Sequence, residues 1–150
     1  MDPYSLRLLE ACEKTLHRWL EARFSAIVES QHLSGSVDID RRNEVITRAA
    51  RAALTELERL FETDVLQQTT NPLAIMRQST SPVTDELARI GARPVERDEF
   101  NQRSFPADHF DLSPATWADV DEALVEPGLE WGAFKAASVI QRRREAATDR

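Results

Sequence analysis

The sequence predicts an all-α chain, on three observations. Apolar residues recur three and four positions apart through two long stretches, which is the spacing of a helix face. Only 4 glycines and 1 tyrosine are present, too few turn and strand formers for a sandwich or barrel. Proline follows Asp2, Asn71, Ser81 and Ser113, a pairing of cap residue and first helical position that opens helices. The 150 residues suit a single domain with a core of its own. The expected organisation is a helical hairpin over 1–68, short helices over 69–93, an ordered irregular segment over 94–113, two short helices over 114–146 and a frayed tail over 147–150.

The first helix is expected from Pro3 to about Gln31, capped by Asp2. Its face runs through Leu6, Leu9, Cys12, Leu16, Trp19, Leu20, Phe24, Ile27 and Val28. A stripe this wide needs more than one partner helix to cover it. Gly35 and its flanking serines supply the turn. The second helix then starts near Asp38 or Asp40, with Val45, Ile46, Ala49, Ala53, Leu57, Leu60 and Phe61 on its face, continuing to Val65 and Leu66. Its alanines favour helix and let a neighbour approach closely. Each helix is expected to be about 28 residues, roughly 40 Å at 1.5 Å per residue, and a short turn makes them an antiparallel hairpin.

Beyond Asn71-Pro72 a short helix is expected over Leu73–Gln78. Another opens with Ser81 as cap and Pro82 at its first position, and stops at Gly91. From Pro94 to Ser113 no helical period is sustained; Val95, Phe100, Phe105, Phe110 and Leu112 are scattered among charges and suggest an ordered segment docked on the helices. Ser113-Pro114 is expected to open a short acidic helix through Trp117, Val120 and Leu124. A last helix follows from about Leu129 to Arg144, with Trp131 and Phe134 on its face and basic residues complementing the dipole at its end.

Cys12 is the only cysteine, so no disulfide framework is possible and an oxidising compartment is not indicated. It is expected to be a small buried hydrophobe. No apolar run approaches the ~20 residues that span a bilayer, and Met-Asp-Pro-Tyr-Ser lacks the pattern of a signal peptide, so a cytoplasmic location is expected. The net charge of −7 is uneven: −2 over 1–94, −8 over 95–130 and +3 over 131–150. A general duplex binder carries a strong basic stripe, and this chain has basic character only at its end.

No phosphate-binding glycine loop, zinc-ligand spacing or nucleophile elbow occurs. The most concentrated polar group is Asp98, Glu99, Asp108, His109 and Asp111. A histidine among carboxylates suits a divalent cation, but the spacing matches no established metal pattern, and a solvated acidic loop anchored by its phenylalanines is the plainer reading. His17 and His32 are expected to be structural or solvated. Lys135 with Arg142, Arg143 and Arg144 forms the one basic patch; consecutive arginines on a helix form a collar, not a stripe. Trp117, Trp131 and Phe134 flank an acidic turn, where aromatics serve either a core or a binding hot spot.

The block Phe105-Pro106-Ala107-Asp108-His109-Phe110-Asp111-Leu112-Ser113-Pro114, with Glu126-Pro127-Gly128-Leu129 and Trp131-Gly132-Ala133, resembles small helical actinobacterial proteins without an assigned activity. The resemblance covers about a third of the chain. It implies no function and no site residues.

The expectation from the sequence is a non-enzymatic adaptor or regulatory protein, without a cofactor, that binds another protein and pairs as a homodimer. The candidate partner-binding residues are Phe100, Phe105 and Phe110 with Asp108, His109 and Asp111; Trp117 and Trp131; and Arg142, Arg143 and Arg144. Two alternatives remain: a nucleic-acid-binding regulator using the basic last helix, disfavoured by the neighbouring acidic segment, and a metal-dependent enzyme using Glu99, His109 and Asp111.

Overall fold

A computed structural model describes residues 3–62, 72–94, 108–114, 116–125, 140 and 143–148. Among these the chain is helical and contains no strand: α1 (Pro3–Ser30), α2 (Ile39–Glu62), α3 (Pro72–Ser79), α4 (Ser81–Arg89) and α5 (Trp117–Val120). Short 3-10 turns occupy Ser34–Ser36 and Glu122–Val125. The all-α architecture led by a long hairpin is as the apolar spacing predicts. No helix among the described residues is long and apolar enough to cross a membrane.

Side-chain pairs fix the hairpin as antiparallel. His17 meets Thr47, and four residues further along α1, Glu21 meets Arg42, five residues earlier on α2. The buried face of α1 is Leu8, Leu9, Ala11, Cys12, Leu16, Leu20, Phe24, Ile27 and Val28. Leu6, expected on this face, is 46% exposed, and Leu8 takes the inward place. On α2 the buried set is Val45, Ile46, Ala49, Ala50, Ala53, Leu57 and Phe61. Three alanines of α2, Ala49, Ala50 and Ala53, are part of that buried set. The expected continuation to Val65 and Leu66 lies outside the described residues.

The hairpin turn is made differently from the sequence expectation. His32, not a glycine, takes the left-handed position after α1, with φ 56°. Leu33 N–H donates to the Val28 carbonyl at 2.9 Å and His32 N–H to Glu29 at 3.3 Å, a Schellman closure. Gly35 falls within the following 3-10 turn. Asp38 caps α2: its Oδ1 accepts from the amides of Asp40 and Arg41.

Two wide stripes need cover, and the chain supplies it. α3 and α4 pack on α2, and α5 packs on α1. Leu73, Met76, Val83 and Leu87 join the core from one side; Phe110, Leu112, Trp117, Val120 and Leu124 join it from the other. α4 ends as expected at Gly91, φ 87°, where Ala92 N–H reaches back to Leu87 and Gly91 N–H to Ala88. Its start is corrected by one residue. Thr80 occupies the N-cap without a side-chain cap bond, because its hydroxyl donates to the Arg77 carbonyl.

The short acidic helix also begins later than Ser113-Pro114. Thr116 and Asp119 form a reciprocal capping box and α5 covers Trp117–Val120 only; Leu124 lies in the 3-10 turn that follows. Of the last helix, residue 140 and residues 143–148 are helical. Ala147 and Thr148, the described part of the tail expected to fray over 147–150, are helical, so the helix continues past Arg144, where the sequence reading ends it.

Candidate interaction surface

The segment 108–114 is irregular, and its polar backbone has to find partners other than a helix ladder. Asp108 supplies them. Its side chain is buried, and one oxygen accepts from Leu112 N–H at 2.9 Å. The other accepts from Ser113 N–H at 2.7 Å and from the Ser113 hydroxyl. Asp111 N–H closes back on the Asp108 carbonyl, and Asp111 takes the left-handed conformation, φ 54°. An aspartate tolerates that conformation better than most side chains.

Two residues of α1, one turn apart, fasten this segment. Trp19 Nε1 donates to the Leu112 carbonyl at 2.8 Å. Arg23 Nε donates to the Asp111 carbonyl at 3.0 Å, while its guanidinium lies 3.7 Å from the Asp111 carboxylate. The polar fastening leaves the apolar side chains free to turn inward: Phe110, Leu112 and Trp117 are 3%, 0% and 3% exposed.

This placement sorts the candidate residues. Phe110 and Trp117 lie in the core and are not presented to a partner in this conformation. Asp108 is committed to the segment's own backbone. His109 is exposed, Asp111 is half-buried on its ion pair, and these two form the described rim. Arg143 and Arg144 are exposed on the helical 143–148 stretch. Phe100, Phe105, Trp131 and Arg142 lie outside the described residues, as do Asp98 and Glu99. Among the described residues no group of three or more histidine, cysteine, aspartate or glutamate side chains is arranged to hold a metal ion.

The other buried reactive groups have evident structural duties. Cys12 is fully buried, and loss of solvation pushes its thiol up to about 12, with Glu13 adding to the shift. The thiolate that reacts is therefore scarce at neutral pH. Glu86 is buried at the α2–α4 contact. Arg89 Nε donates to its carboxylate at 3.0 and 3.1 Å, and Arg41 Nε at 3.3 Å. The Arg89 hydrogen bonds, reinforced by the charges of both arginines, outweigh desolvation and hold the carboxyl below the usual range. His17, half-exposed, pairs with Glu21 at 3.6 Å.

Several of these contacts have little trace in the sequence. Trp19 and Arg23 mark one flank of α1 by their spacing, but nothing local says what they reach. Glu86 is flagged only by an arginine three residues on. Gln31 and Arg93 exchange two bonds, Arg93 N–H to Gln31 Oε1 at 2.7 Å and Gln31 Nε2 to the Arg93 carbonyl at 2.8 Å. That clamp joins residues 62 positions apart.

Two concavities lie among the described residues. One of about 750 Å³ follows the outer flank of α2 between Asn43 and Glu56, where the described lining is Thr47, Ala52 and Thr55 among charged side chains. The other, about 220 Å³, lies at the hairpin tip over Phe24, Val28 and Val37, beside Ile39, which is 64% exposed. Comparison of the chain with protein-family models, curated proteins and solved structures returns no match.

Proposed function

We propose that this protein is a non-enzymatic adaptor or regulator that acts by binding another protein. One observation carries the reading: among the described residues, the buried reactive groups Cys12, Glu86 and Asp108 are each engaged in holding the fold. The thiol is protonated in the core, one carboxylate ties α4 to α2, and the other organises 108–114. Groups so engaged serve architecture, and what the molecule offers outward is shape and charge. The rim at His109 and Asp111 is the surface assigned to the partner, and the net charge of −8 over the 95–130 sequence favours a basic partner.

The homodimer is a separate proposal. Light scattering is expected to return twice the chain mass of 17.0 kDa, and a mass near 17.0 kDa would remove it.

The test of the adaptor reading is affinity capture with full-length protein, comparing wild type with His109→Ala and with Arg143→Ala/Arg144→Ala. These side chains are exposed, so circular dichroism should not change. A protein held by wild type and lost with His109→Ala supports the reading. Nucleic acid held with a steep salt dependence, and lost with the arginine variant, replaces it with the nucleic-acid alternative. Capture of nothing above a folded control overturns it.

A further inference from the structure

We draw no further inference here: the strongest candidate, the hollow of about 220 Å³ at the tip of the α1–α2 hairpin beside the exposed Ile39, is an unpartnered apolar face, and nothing in the structure shows what covers it.

Discussion

The α1–α2 hairpin and the 108–124 segment solve the same problem by different means. Both bury apolar side chains against one core. The hairpin satisfies its backbone internally, through two long helices, and places most of its apolar residues by period. The segment has one four-residue helix, α5, and a 3-10 turn. It borrows the rest from side chains: Asp108 from within, Trp19 and Arg23 from α1. Regular structure spreads stability over many equivalent bonds. Irregular structure concentrates it in a few named ones, so single substitutions should separate the two regions.

The largest effect is expected in the hairpin. Phe24 is 1% exposed under the turn, and Phe24→Ala should cost about 3–5 kcal/mol through lost burial and the cavity left behind. Urea denaturation should show the whole molecule failing at a lower midpoint. Asp108→Ala comes next. It strands the Leu112 and Ser113 amides in a buried place, which should cost about 2–4 kcal/mol as charge-assisted bonds are lost and donors go unmet. Near-UV circular dichroism should weaken with little change in the far-UV helical signal. An equal loss of both signals would mean the segment and the hairpin are not separable.

Glu86, at the contact of α4 with the hairpin, offers a pH test. Glu86 is held by guanidinium groups, so its folded pKa lies below its unfolded one. Its contribution is complete above the unfolded value, near 4.5, and is lost as pH falls through the folded value. Glu86→Gln should be less stable at neutral pH and lose less stability than wild type as pH is lowered below about 4.5. Urea midpoints measured across that range test the sign; parallel curves would remove Glu86 from the acid limb.

The smallest effects separate two tryptophans. Trp19 Nε1 has the Leu112 carbonyl, whereas Trp117 Nε1 is buried without a hydrogen-bond partner among the described residues. Trp19→Phe should cost about 1–2 kcal/mol, because it removes a bond and leaves a carbonyl wanting. Trp117→Phe loses ring contacts but also removes an orphan donor, so its net cost should be under about 1 kcal/mol. Thermal denaturation of the two variants ranks them, and the reverse order would show that packing of the Trp117 ring outweighs its unmet N–H.

The same contrast explains what the sequence discloses. Period-marked features were legible: the faces of α1 and α2, the stop at Gly91, and the cap of α2 at one of two named aspartates. The structure departs from the sequence expectation where several residues carry similar signals. Leu6 and Leu8 both suit an apolar face, and only packing selects Leu8. Thr80 and Ser81 both suit an N-cap, as do Ser113 and Thr116. Gly35 drew the turn assignment, although the left-handed position went to His32, where the helix end is set by the Leu33 and Val28 closure. The candidate site was less legible. Asp108 and Ser113 satisfy each other locally, but Trp19 and Arg23 act over 93 and 88 positions, and no local pattern carries that information. Aromatic residues near acids suggested a surface; Phe110 and Trp117 are core because the polar backbone beside them is fastened elsewhere.

The Trp19–Leu112 bond also sets a clock on synthesis. Its two ends are 93 residues apart, so at about 5–20 residues per second the donor waits roughly 5–20 s for its acceptor to be made. The hairpin can close as soon as α2 emerges from the ribosome. For that interval the residues of α1 and α2 exist before Phe110, Leu112 and Trp117, which share their core, have been made. The order of synthesis thus separates the two regions in time as the fold separates them in kind.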